Sequence, residues 1–270
     1  MAALANLVNE ALDALASILF PAPCRLCDAV LETSSRIPIC HACLDSLQPL
    51  AGPVCATCGR VFPSALAAIS AQPLCYACRR GVYAFDAARS YGAYDEKMAR
   101  AILLLKHHGV TPLAAWFARR LIEVVERQPA LFAADVVVPV PLDKGRRRQR
   151  GYNQAELIAR PLARHLRVPL RSYLLVRKRP RPDKLKLTRR ERWTTVRGAY
   201  AIHQAARIDK LRVLLVDDVF TTGATLDACS RVLRSGGATF VVGLTVARVI
   251  SSWLAQPPPE ASGTGGALTR

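Results

Sequence analysis

Val213 to Thr225 reads VLLVDDVFTTGAT, and the fold follows from how that stretch divides. Val213 to Val216 is a run of four apolar residues, the pattern of a buried strand. Asp217 and Asp218 follow at its carboxyl end, where open α/β sheets gather their ligands. After Val219 and Phe220 come Thr221, Thr222, Gly223, Ala224 and Thr225, small residues that open a helix. Their backbone amides can converge on a dianionic phosphate, helped by the helix dipole. Gly223 permits close approach and unusual dihedrals. The hydroxyls of Thr221, Thr222 and Thr225 add donors. A phosphate repels carboxylates, so Asp217 and Asp218 are expected to face another part of the ligand. Vicinal ribose hydroxyls donate naturally to carboxylates, and Mg²⁺ is naturally shared between carboxylates, hydroxyls and a pyrophosphate. Acid pair and amide nest together describe a phosphorylated ribose. The competing reading is a buried strand that ends in an Asp-capped turn.

Outward from this stretch, strands and helices alternate. Leu211 to Val216 is the strand, a helix runs from about Ala224 to Arg234, and Thr239 to Val246 (TFVVGLTV) is a last strand. Upstream, Ala87 to Ala93 reads as a strand, and Asp95 caps a helix that runs to about His108, with Gly109 as its stop. Pro112 is pre-set for the first position of the next helix. Asp135 to Val140, DVVVPV, is a short β-branched strand. Asn153 caps a helix to Leu166, Ser172 to Val176 is strand-like, and Arg177 to Arg192 is a basic stretch with two prolines, a mobile loop running into a short helix. Strands apolar almost throughout imply a parallel sheet flanked by helices, the α/β class.

Eight of the nine cysteines lie between Cys24 and Cys78, as four CxxC pairs: Cys24/Cys27, Cys40/Cys43, Cys55/Cys58 and Cys75/Cys78. Each pair puts two thiolates on one tight turn, and two pairs complete a tetrahedral Cys₄ zinc site. Twelve residues separate the first two pairs and sixteen the last two, both close to zinc-ribbon spacing. Two structural Zn²⁺ sites paired in sequence order are expected, with crossed pairing as the alternative. Closed Cys₄ sites supply folding energy, not catalysis. Cys229 stands alone and reads as a small core hydrophobe.

The chain divides into an N-terminal amphipathic helix (1–20), a double zinc ribbon (21–81), an α/β domain (82–250) and a Pro/Gly/Ser/Ala-rich disordered tail (251–270). The first eleven residues hold no Lys or Arg and include Glu10, so they lack the basic region of an export signal. The expected compartment is the cytoplasm, where cysteines stay reduced and bind metal. No apolar run is long enough to span a bilayer. The formal net charge of +18 favours polyanionic partners, from phosphorylated small molecules to nucleic acid.

VLLVDDVFTTGAT resembles the phosphoribosyl pyrophosphate signature of type I phosphoribosyltransferases, and the whole layout resembles the ComF/GntX family. The likeness runs from about Phe20 to Arg248 and includes AILLLKHHG (Ala101 to Gly109), VVVPVPL (Val136 to Leu142), RRRQRGYNQAELIA (Arg146 to Ala159) and LTRRERWTTVRGAY (Leu187 to Tyr200). It implies a type I phosphoribosyltransferase-like sheet behind a zinc-ribbon module, with phosphoribosyl pyrophosphate and Mg²⁺ as ligands. Asp217 and Asp218 are the catalytic candidates; Thr221, Thr222, Gly223, Ala224, Thr225, Arg150, Asn153 and Lys106 are the binding candidates. The Arg146–Arg150 cluster suits bidentate phosphate contact, a solvated basic loop being the competing reading, and Lys106 is either a ligand contact or a surface lysine. Pro139 and Pro141 remove amide donors from the loop that would hold pyrophosphate. The chain departs from the family's usual pattern at Lys184 and Thr195. Two functions remain in view. One is a phosphoribosyltransferase whose acceptor the sequence does not disclose. The other is a non-catalytic accessory protein of DNA uptake that binds single-stranded DNA or DNA-uptake proteins through Arg146–Arg150 and Arg177–Arg192. Aromatic interleaving there is thin, with Tyr152, Tyr173 and Trp193 nearby.

Overall fold

A computed structural model describes residues 23–31, 35–63, 72–179, 188–203 and 207–250. The expected N-terminal helix, the C-terminal tail and Lys184 lie outside the described residues.

Four parallel strands form the central sheet in the order β1-β6-β5-β2: β1 (Ala87–Ala93), β2 (Val136–Pro139), β5 (Arg212–Phe220) and β6 (Phe240–Arg248). Strand alternation sends Leu214 and Val216 to one face and Val213 and Leu215 to the other. Helices α3 (Glu96–His107), α4 (Pro112–Arg127) and α6 (Gln154–Leu166) cover the first face, burying Ile102, Leu105, Phe117, Leu121, Ile158 and Leu162. Helix α8 (Ala224–Ser235) covers the second with Leu226, Cys229 and Leu233. Local chemistry explains the boundaries: Asp95 accepts the Met98 amide at 2.8 Å as the cap of α3, and Pro112 opens α4.

The zinc module contributes short helices α1 (His41–Asp45) and α2 (Tyr76–Arg79) and closes the sheet edge. The Leu50 amide donates to Tyr91 O at 2.6 Å and the Ala88 amide to Thr57 O at 2.6 Å, so the outer edge of β1 is not left as a bare strand. The two ribbons straddle that edge. Cys24 and Cys43 join the core on the α3 side; Cys55, Cys58 and Cys75 join it on the α8 side.

Three expectations are corrected. Ser172 to Val176 does not join the parallel sheet; β3 (Leu175–Arg177) pairs antiparallel with β4 (Tyr200–Ile202) in a separate hairpin. Each strand is three residues long, too short for a periodic signal. The basic stretch after β2 is not a loop but helix α5 (Lys144–Arg150), started by Asp143, whose side chain accepts the Arg146 amide at 3.0 Å. It buries none of its residues, so no apolar stripe announced it. Strand β5 does not stop at Val216 but carries the acidic pair within it, because β6 supplies ladder partners as far as Phe220↔Arg248. Helix α7 (Arg189–Val196) ends the basic stretch as expected, with a Thr188–Glu191 capping box.

Candidate functional site

Directly after β5, Gly223 adopts φ +80° and caps α8. A Cβ there would stand 2.7 Å from both the Phe220 and the Tyr83 rings, so side-chain-free backbone is required twice over. The twelve residues of α8 aim their positive dipole end at this turn. Thr222 is fixed at both ends: its carbonyl accepts the Tyr83 hydroxyl at 3.0 Å, and its Oγ1 accepts the Ala224 amide at 3.4 Å. Arg192 of α7 reaches Thr221 Oγ1 at 3.4 Å.

Because the acids lie within a strand, neighbouring carboxylates leave it on opposite faces. Asp218 shares the face of Val216 and is buried there. Lys106 Nζ, from the last turn of α3, lies 2.8 Å from its Oδ1, and Gln154 Nε2, from the first turn of α6, donates to its Oδ2 at 2.7 Å. Arg150 in turn donates to Gln154 Oε1. Asp217 leans toward the α8 side, and its Oδ1 accepts the Asp218 amide at 2.9 Å. Strand β2 ends opposite Val216, so beyond that point β5 opens onto a cleft of about 270 Å³.

That cleft brings most of the expected residues together. Asp217, Asp218 and Lys106 line it, as do Thr221, Thr222, Ala224 and Thr225. Asn153 lines it too, yet its amide serves the chain: Oδ1 accepts the Ala155 amide at 3.1 Å and Nδ2 donates to Val140 O at 3.0 Å. Arg150 stands one residue behind the cleft, acting on Asp218 through Gln154. Burial lowers the Arg150 pKa, and the Asp218 charge works against that shift. Burial also lowers that of His107, with Arg150 and Lys106 adding repulsion. Sequence reasoning assigned nothing to Gln154 and gave Arg177 and Arg192 only the ends of a nucleic-acid-binding basic stretch; all three line the cleft, from α6, β3 and α7. Arg146 lines it from α5, and Thr195, one of the two departures, lies on the same wall. Burial raises the Cys229 thiol well above its ordinary range, which suits a core position.

The cysteines form two groups, Cys24/Cys27/Cys40/Cys43 and Cys55/Cys58/Cys75/Cys78, in sequence order rather than crossed. Within each, the sulfurs all lie within 4.8 Å of one another. Cys27 Sγ and Cys40 Sγ are 3.7 Å apart, and Cys58 Sγ and Cys75 Sγ 3.6 Å. A tetrahedral zinc with bonds of about 2.3 Å requires sulfurs about 3.8 Å apart, so both groups fit the ion. Backbone amides support the thiolates: Cys40 N lies 3.3 Å from Cys24 Sγ and Cys75 N 3.3 Å from Cys55 Sγ. In the second group, hydrogen bonding between Cys55 and Cys58 holds the first thiol low and pushes the second up. These are two Cys₄ zinc-ribbon sites.

Comparison with known proteins agrees with this layout. Residues 15–82 match the double zinc ribbon domain, and residues 153–256 the phosphoribosyl transferase domain. The DNA utilization protein YhgH of Salmonella typhimurium is 29% identical over 226 residues, covering 82% of this chain and 95% of that one. Competence protein F of Haemophilus influenzae is 29% identical over 203 residues, covering 74% and 85%. Competence protein ComFC of Bacillus subtilis is 27% identical over 216 residues, covering 78% and 84%. Among the described residues, no helix is long and apolar enough to cross a membrane.

Proposed function

For a chain with the domain order and the relatives of the ComF family, a double zinc ribbon ahead of a phosphoribosyl transferase domain, we propose binding of a phosphorylated ribose, with phosphoribosyl pyrophosphate as the leading ligand. One observation carries this reading: the helix-opening loop of Thr221, Thr222, Ala224 and Thr225 and the acidic pair share one cleft. The loop takes the 5-phosphate. The carboxylates take the ribose hydroxyls, and Mg²⁺ would enter with the pyrophosphate. Asp217 and Asp218 are the carboxylates that line the cleft and would hold the ion. Bound Mg²⁺ would offset leaving-group charge. Phosphoribosyl transfer to an acceptor is the reaction this geometry serves, by positioning and by carboxylate charge near the sugar.

We also propose a role in DNA uptake, which the names of the relatives motivate. The unburied basic helix α5 would follow a phosphate backbone. The zinc module (21–81) and the transferase-like domain (82–250) would act together in the cytoplasm.

Calorimetric titration with phosphoribosyl pyrophosphate and Mg²⁺ tests the first reading. Binding should be measurable and should vanish in Asp217→Asn/Asp218→Asn; no heat at millimolar ligand would sink the ribose-phosphate site. For the second, single-stranded DNA should bind with a steep salt dependence that Arg147→Glu/Arg148→Glu flattens. Salt-insensitive binding would contradict it.

A further inference from the structure

The two zinc ribbons do not sit alike with respect to the phosphate loop. The first ties to α3 and β1: Arg100 donates to Leu26 O at 2.9 Å, and the Tyr91 hydroxyl to Leu47 O at 2.8 Å. The second reaches the loop by three routes. Arg248, at the end of β6 and only 4% exposed, donates to Cys58 O at 2.6 Å while its guanidinium lies 4.7 Å over the Phe220 ring. Phe220 is the last residue of β5 and one of the two rings against Gly223. Tyr83, five residues past Cys78, is the other ring; it stacks on Phe85 at 4.7 Å and donates to the Thr222 carbonyl. The Ala84 amide donates at 2.8 Å to Asp227, which is buried in the first turn of α8.

Charge points the same way. Arg248 and Arg89 are held between the second ribbon and the sheet, Arg89 donating to Ala56 O at 2.9 Å. Among the described residues neither has a carboxylate in ion-pair contact. A zinc ion with four thiolates carries net negative charge. That charge is the natural counter-charge for two cations in a desolvated position. Gly59, at φ +68°, allows the close seat: a Cβ would stand 2.5 Å from Ala88 O.

We propose that the second ribbon braces the phosphate loop, with Arg248 and Tyr83 as positioning residues, so that zinc at Cys55/Cys58/Cys75/Cys78 and a phosphate ester at Thr221–Thr225 stabilise each other's binding. The ligand half rests on the reading of the loop given above; the brace itself does not. By reciprocity, zinc must tighten the ester by the same factor by which the ester tightens zinc.

The test uses the full chain loaded with zinc. Zinc release, driven by an organomercurial and followed with a chromogenic chelator, is timed with and without ribose 5-phosphate. Amide exchange is measured for the peptide spanning 219–226. Ribose 5-phosphate should slow one of two release phases about tenfold, within the usual span of coupling. Arg248→Met should abolish that protection and speed exchange in the loop. Tyr83→Phe keeps every zinc ligand and the ring; it should still speed loop exchange about three- to tenfold, the scale of one part-buried hydrogen bond. Unchanged loop exchange in both variants would overturn the brace. Bound ribose 5-phosphate with identical release phases would overturn the coupling. If ribose 5-phosphate does not bind the unaltered protein, the phosphate-site reading falls, and loop exchange in Arg248→Met and Tyr83→Phe still decides the brace.

Discussion

Replacing Gly223 by alanine is the sharpest test of the loop. Its φ of +80° lies in the left-handed region, which costs a residue with a Cβ about 1–2 kcal/mol. The new Cβ would also meet Phe220 Cζ and Tyr83 Cε1, each at 2.7 Å. Neither ring can step aside cheaply. Tyr83 is stacked on Phe85 and bonded to the Thr222 carbonyl, and Phe220 is covered by the Arg248 guanidinium. Overpacking of this kind costs about 1–3 kcal/mol. Lost freedom of the unfolded chain returns about 0.4–1 kcal/mol. The net is a destabilisation of about 1–4.5 kcal/mol, or roughly 2–18 °C in Tm for a domain of this size. Thermal unfolding by circular dichroism measures it, and titration with phosphoribosyl pyrophosphate and Mg²⁺ should show binding weakened at least tenfold. A Tm shift below about 2 °C with unchanged titration would refute the claim that the loop is held left-handed against two fixed rings.

Lys106→Met should cost about 2–3 kcal/mol by urea unfolding, below the range for fully buried pairs because the Lys106 side chain is 20% exposed. Adding Asp218→Asn should recover part of that loss, and strictly additive effects would deny the pairing. Asp217→Asn should weaken ligand binding more than stability and Asp218→Asn the reverse, since Asp218 is held by Lys106 and Gln154; equal profiles in calorimetry and unfolding would contradict that division. Elemental analysis should find two zinc ions per chain, and one or none would refute the double site. Cys229, fully buried in α8, should resist thiol reagents until the protein unfolds; labelling at native rates would place it elsewhere.

What the sequence disclosed was local, and what it concealed was mostly contact between distant segments. The cap at Asp95, the proline opening α4 and the β-branched run of β2 are properties of a few neighbouring residues, and they stand where the pattern put them. Helix α5 and the β3–β4 hairpin lacked any apolar period to announce them. Gln154 finds Asp218 across 64 positions, and Tyr83 finds Thr222 across 139; no spacing rule connects either pair. Zinc pairing was equally open, because CxxC spacing allows sequential and crossed partners alike. The sheet edge settles it physically. Each ribbon must bury its cysteines against one face of β1, and two consecutive pairs fill one face before the chain crosses to the other.

The same two-sidedness governs the acidic pair. An adjacent Asp-Asp reads as one bidentate device only if it lies in a turn. Carried within a strand, it is split between the faces, one carboxylate toward Lys106 and the other toward the helix that opens at the loop. The cleft is then the place where both faces of the sheet become accessible at once, because β2 ends opposite Val216 and leaves the flank of β5 uncovered. A ligand seated there would meet a carboxylate paired with Lys106 on one side and the positive dipole end of α8 on the other. The strand therefore has to outrun its neighbour β2 for such a site to exist, and the ladder to β6 that continues to Arg248 is what allows it to do so.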